Sequence, residues 1–243
     1  MELRIIHFYP DLMSLYGSYA NVSVLKRMLE TLGHTITVES VHPGESANLS
    51  NADFLFMGAG TERAQNAALA DFLLHYGNDI RELAANGTPM LFAGNSMELL
   101  GKSITDAEGK EYDGIGLAPF TSVQGKRRIV EDVYGQTTLY AEPIVGFMNK
   151  CSIISGVETP LVTSMAMGFG NETKCGPEGF HRNNVFASQL TGPILAKNPR
   201  LLEAVIAAIY AHRGETLPAE LPRDEYAEAG FAVTAEQLKL RCQ

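Results

Sequence analysis

Few residues in this chain are of types that could do chemistry, and their spacing narrows what that chemistry can be. Cys151, Cys175 and Cys242 could each supply a thiolate or a metal ligand. They show no CxxC spacing and no paired histidine motif, which argues against a structural zinc site, and their odd number argues against a disulfide framework. His181 follows Cys175 closely enough to share a loop with it, although a structural or exposed histidine is the plainer reading, and a buried thiol ordinarily behaves as a small inert apolar group. Gly58-Ala59-Gly60 follows a short apolar run and could turn backbone N–H groups toward an anion or a carbonyl oxygen; the alternative is a turn that requires positive φ. Lys126-Arg127-Arg128 is the one basic cluster. An arginine there suits bidentate binding of a carboxylate, against the plainer reading of a solvated surface side chain.

The elements that must position these residues alternate in type. Residues 3–8 read as a buried strand, and 20–32 places Val22, Leu25, Met28, Leu29 and Leu32 on one helical face that Gly33 ends. Strands follow at Thr35 to Val41 and Asp53 to Met57, and 61–85 reads as one or two helices. Gly87-Thr88-Pro89 stops that pattern, Met90-Leu91-Phe92-Ala93 forms a short strand, and Gly94-Asn95 turns into a helix beginning near 95–96. From 112 to 190 the pattern is β-rich, with strands expected at 127–134, 137–141, 144–148, 161–167 and 185–190, before a helix at about 199–213. This order predicts an α/β fold, with a mainly parallel sheet, helices on both faces and an antiparallel extension. Ligands in such sheets gather at the carboxyl ends of strands, which directs attention to the residues just after 57 and just after 93. The domain is expected to span 1–214, with 215–243 a peripheral helix or a partly ordered arm.

Composition excludes several function classes. A chain of 243 residues can bury one α/β core without disulfide staples. The net charge of −9 and the dispersed Lys and Arg leave no stripe to track phosphates, so nucleic acid is not an expected partner. No apolar run reaches the length of a membrane span and the N-terminus has no signal-like stretch; with the free thiols, this predicts a cytoplasmic protein. Neither a metal nor a cofactor is expected.

Ordered blocks along the chain resemble the CobB/CobQ-like class I glutamine amidotransferases, closest to the glutaminase subunits of lipid II isoglutaminyl synthase. Leu15-Tyr16-Gly17 followed by Ala20-Asn21 is similar to the family's LYGD.GN loop, and Gly58 to Gln65 to its GGGxDREQ segment. Gly87 through Gly101 is similar to G.P.L.ICGGYQ.LG, Gly146-Phe147 with Asn149 to GFENH, Gly168 to Asn171 to GYGNN, and Leu190 to Leu195 to YLHGPIL. The resemblance implies the class I amidotransferase fold, which is flavodoxin-like, and a site built from a Cys nucleophile, a His base and backbone oxyanion donors.

Both catalytic side chains are missing. The nucleophile position falls on Gly94 and the base position on Thr191, and the departures continue at Asn95-Ser96, where two glycines are usual, and at Lys150, where a His is usual. Ser96 reads as a cap or first-turn residue, with a substitute nucleophile as the alternative. The resemblance implies carboxylate binding by Arg128, or by its neighbour Arg127, and N–H donation from Gly58, Ala59 and Gly60. It also implies a heterodimer with a Mur-ligase-like ATP-dependent subunit. The leading expectation is therefore a catalytically impaired amidotransferase-like subunit, a pseudoenzyme, in cell-wall precursor amidation. The alternatives are an active glutaminase with a nucleophile relocated to Ser96, Cys151 or Cys175, and a protein that binds glutamine or another small carboxylate through Gly58–Gly60 and Arg128, in a peptidoglycan or a cobalamin-type setting.

Overall fold

Strands whose two faces are both apolar must be covered on both sides, and the chain builds a layered structure for that reason. The computed structural model describes all 243 residues. It begins with β1 (Glu2–Phe8), a 3-10 turn at Leu15–Gly17, α1 (Ala20–Thr31), β2 (Thr35–Val41), β3 (Phe54–Met57), α2 (Glu62–Ala85) and β4 (Met90–Ala93). A 3-10 helix at Gly94–Leu100 then leads into β5 (Ser103–Thr105), β6 (Glu111–Asp113), β7 (Thr121–Gln136), β8 (Ile144–Ser155) and β9 (Ser164–Met167). The chain ends with β10 (Phe180–Arg182), β11 (Val185–Ser188), α3 (Ile194–Lys197), α4 (Pro199–His212) and α5 (Glu225–Arg241).

The main sheet has six strands in the order β10-β11-β4-β3-β1-β2, all parallel except β10 at one edge. Alternation along each strand divides the core. Ile6, Phe8, Leu55, Met57, Met90 and Phe92 pack with Leu69, Phe72, Tyr76 and Ile80 of α2. Leu3, Ile5, Phe54, Phe56, Leu91 and Ala93 pack with Val22, Leu25 and Leu29 of α1 and Val205, Ile206 and Ile209 of α4. This is the expected mixed fold with a mainly parallel sheet and helices on both faces. The antiparallel part is a second sheet, β6-β5-β7-β8 with β9 on β7, antiparallel except where β5 pairs with β7, together with the single edge strand β10 of the main sheet.

Some local expectations are narrowed to one of their alternatives and others are corrected. Of the one or two helices expected over 61–85 there is one, Glu62–Ala85, capped by Thr61, whose Oγ1 accepts from Ala64 N at 3.1 Å. Residues 137–141 are not a strand, because Thr137 Oγ1 accepts from Leu139 N at 3.3 Å and turns the backbone on itself after β7. The expected strand 127–134 is part of a longer one that starts at Thr121 and pairs with the whole of β8 across a register shift between Gln124 and Ile129. The final segment carries a regular helix, α5, capped by Asp224 and lying against β7 and β8 with Leu238 buried.

Candidate functional site

The site lies where three neighbouring strands end together. Met57 stands opposite Phe92, and Ala93 opposite Ser188, so the segments after β3, β4 and β11 leave the same edge of the main sheet. They carry Gly58-Ala59-Gly60, Gly94-Asn95 and Gln189-Leu190-Thr191, and β8 of the second sheet contributes Asn149, Lys150 and Cys151 to the same small space. Gly58 and Gly60 are glycines because of crowding: neither takes a positive φ, contrary to that reading of the turn. A Cβ on Gly58 would come within 2.3 Å of Met13 O, and one on Gly60 within 2.5 Å of Met13 Sδ.

Gly94 does take a positive φ, +70°, at the sharp turn out of β4. The segment beyond it is a 3-10 helix rather than the expected α-helix starting at 95–96. A Cβ on Gly94 would lie 2.5 Å from the Ala59 Cβ. Ser96 is fully buried, and its hydroxyl donates to Met57 O at 2.9 Å and Ala93 O at 3.0 Å, tying the turn to the two strand ends and leaving nothing to attack a substrate with. Thr191 is 5% exposed; its N–H and its Oγ1 both donate to Phe147 O, at 2.8 and 3.2 Å.

Two of the donors expected to meet a ligand, Gly60 N–H and Arg128, already have partners. Gly60 N donates to Asn95 Oδ1 at 2.9 Å, and Asn95 Nδ2 donates back to Gly60 O at 3.0 Å. Arg128 Nη1 donates to Glu62 Oε1 at 2.8 Å, while Nε and Nη2 donate to Asn149 Oδ1 and O at 2.5 and 3.1 Å. Partial burial works against the charge on Glu62, but backbone hydrogen bonding and Arg128 hold its carboxyl below the usual carboxylate range. Arg127 is exposed and does not line this space.

Beneath the site lies a buried polar network that sequence reasoning missed. Glu98, 2% exposed, accepts from Ser152 Oγ at 2.6 Å, Ser122 Oγ at 2.7 Å, and Gln124 Nε2 and Gln189 Nε2 at 3.3 Å each. Lys150 Nζ donates to Gly170 O and Gln189 Oε1, both at 2.6 Å. Burial pulls its ammonium down to about 8, against the attraction of Glu178 and Glu98. Glu178 is fully buried, and that burial raises its carboxyl although Ser188 Oγ and Gln189 N donate to it. The only sequence signal was the replacement of a usual His by Lys150; the carboxylates that accompany it come from distant segments.

The relocated-thiol candidates are not assembled for catalysis. Cys151 sits 3.4 Å from Glu62 Oε1, and burial followed by that carboxylate pushes its thiol up to about 12, the reverse of what a nucleophile needs. Cys175 is exposed in a loop and bonds to Ala166 O, whereas His181 stacks on Phe186 at 4.7 Å in β10, so these two do not form a pair. No cluster of His, Cys, Asp or Glu is arranged to hold a metal ion. No helix is long and apolar enough to cross a membrane.

Residues 4–199 match the CobB/CobQ-like glutamine amidotransferase domain. The chain is 32% identical over 203 residues to the lipid II isoglutaminyl synthase (glutamine-hydrolyzing) subunit GatD of Streptococcus pneumoniae, covering 82% of this chain and 77% of that protein. It is 26% identical to the GatD of Staphylococcus aureus, with 88% and 86% covered. Among solved structures, a glutamine amidotransferase aligns with a TM-score of 0.53 at 16% identity, over 84% of this chain and 98% of that one. A second, from Thermotoga maritima, aligns with a TM-score of 0.50 at 15% identity, over 98% and 95%. These two likenesses concern the fold alone.

Proposed function

The chain belongs to the CobB/CobQ-like glutamine amidotransferase family, and from that premise we propose that it is a non-hydrolysing amidotransferase-like subunit that docks on a Mur-ligase-like, ATP-dependent partner in cell-wall precursor amidation. The observation that carries the reading is the packing of Gly94 on Ala59. The position that would bear the nucleophile has no side chain, and the Ala59 methyl fills the space a side chain would need. Thr191, at the base position, has a hydroxyl that cannot accept a proton near neutral pH, and it is turned onto Phe147 O. The relatives that match most of the chain are named as subunits of a synthase, which supports a role in an assembly.

Ser96 and Cys151 weigh against an active enzyme with a displaced nucleophile, one locked by two carbonyls and the other held protonated. The test combines two measurements on the full chain. Co-expression with a Mur-ligase-like subunit from the same source should yield a stable complex on size exclusion, and neither the chain nor the complex should release glutamate from glutamine above background. Nucleophile and base together supply a rate factor on the order of 10⁶ in triad-type sites, so retained catalysis would be plain. Robust turnover by the unmodified chain, or failure to associate with any such partner, would overturn the proposal.

A further inference from the structure

Of the groups expected to recognise glutamine, Gly60 and Arg128 are each engaged by a side chain that resembles part of glutamine. Asn95 ends in the same carboxamide group, and it meets Gly60 with both its oxygen and its nitrogen, at 2.9 and 3.0 Å. Glu62 presents a carboxylate to Arg128 at 2.8 Å, as the α-carboxylate of a free amino acid would. Two more of the five guanidinium N–H groups are spent on Asn149, so three of the five are already engaged within the chain.

We infer that Asn95 and Glu62 act as internal ligands, filling from within the chain the carboxamide and carboxylate places of the glutamine site and closing it to glutamine. This rests on the proposed reading of the site as an amidotransferase pocket and names the residues that set its specificity. The space left between these groups is about 10 Å³, room for about one water molecule. Both internal ligands are held in place. Gln65 Nε2 donates to Asn95 O at 2.7 Å and is itself fixed by Gln124 through its Oε1, also at 2.7 Å. Glu62 lies in the first turn of α2, where a negative charge is favoured.

Entry of glutamine would exchange one amide for another and one carboxylate for another. The hydrogen-bond inventory would gain nothing, while the free ligand would lose its translational freedom. A tethered group competes with an effective concentration on the order of millimolar or above, so free glutamine must exceed that before it displaces either residue.

Isothermal titration calorimetry of the full chain with L-glutamine tests this, using the unmodified protein, Asn95→Gly, Glu62→Ala and the double variant, each checked for a cooperative thermal transition. The unmodified protein should give no saturable heat up to about 10 mM glutamine. The double variant should bind at least about tenfold tighter than that limit. Should Asn95→Gly fail to fold, Glu62→Ala, at the half-exposed rim, carries the test alone with the same direction expected. Saturable binding to the unmodified chain below about 1 mM would overturn the inference, and so would folded variants that bind no better than it does. Glutamine binding without glutamate release would remove this inference and leave the proposed function standing; glutamate release by the unmodified chain would remove the proposed function itself.

Discussion

The Cβ of Ala59 lies where a side chain on Gly94 would have to go, 2.5 Å from the position a Cβ at Gly94 would take. The two residues belong to neighbouring strand ends, one following β3 and the other β4, so their packing is a contact between segments far apart in sequence. The motifs that these segments resemble have a glycine at the position of Ala59 and a Cys at the position of Gly94, so the resemblance implies the reverse arrangement there. The Ala59 methyl occupies the volume that a side chain at Gly94 would need, as dense packing requires.

Restoring the catalytic pair without removing that methyl should therefore fail. Gly94→Cys with Thr191→His is expected to release no glutamate and to lose about 1–3 kcal/mol of stability from overpacking and from the positive φ at residue 94. Adding Ala59→Gly should recover the part of the stability lost to overpacking, and adding Asn95→Gly as well should give weak hydrolysis at some cost in stability, because it removes two hydrogen bonds to Gly60. Urea unfolding and a coupled glutamate assay measure the two effects. An active, fully stable double variant would show that the strand ends move apart freely.

Thiol reactivity should divide by environment. Iodoacetamide at pH 8, followed by peptide mass spectrometry, is expected to modify the exposed Cys175 well before Cys151, whose thiol is pushed up to about 12. Faster labelling of Cys151 would reveal an activating group beside it and revive it as a nucleophile.

The network around Glu98 should matter greatly for stability. Glu98→Ala strands the buried hydroxyl donors of Ser122 and Ser152, removes the longer of two acceptors from Gln124 and from Gln189, and takes a negative charge from near Lys150. A loss of about 3–5 kcal/mol in denaturant unfolding is expected, with Glu98→Gln losing less. A change below about 1 kcal/mol would mean that water enters and satisfies those donors.

Acid sensitivity should trace in part to His7. This residue is 6% exposed on β1, its Nε2 has no partner, and burial lowers its pKa to about 4 from 6.5. The unfolded chain therefore binds a proton below 6.5 that the folded chain refuses until about 4, and stability falls as pH falls through that window. At pH 4.5 the penalty is about 2–3 kcal/mol. His7→Phe should remove that share of the difference between urea midpoints at pH 7 and pH 4.5. An unchanged difference would mean that His7 is protonated in the fold.

What the sequence determined by itself was whatever is written in local order. Alternating apolar runs separated by Gly and Pro set the strands and helices of the main sheet, and the ordered blocks from Leu15 to Leu195 marked the family, because periodicity and motif order survive without any knowledge of contacts. The absence of side-chain chemistry at Gly94 was equally a property of residue type. Tertiary structure decided the rest. The 3-10 form of the segment after Gly94, the turn at 137–141 and the crowding that requires Gly58 and Gly60 come from neighbours brought in by the sheet. Asn95 reads in sequence only as a departure from glycine, and Glu62 as a first-turn acid. That one meets Gly60 and the other Arg128 follows from strand ends and a second sheet converging on one edge, a pairing over tens of residues that no local pattern encodes.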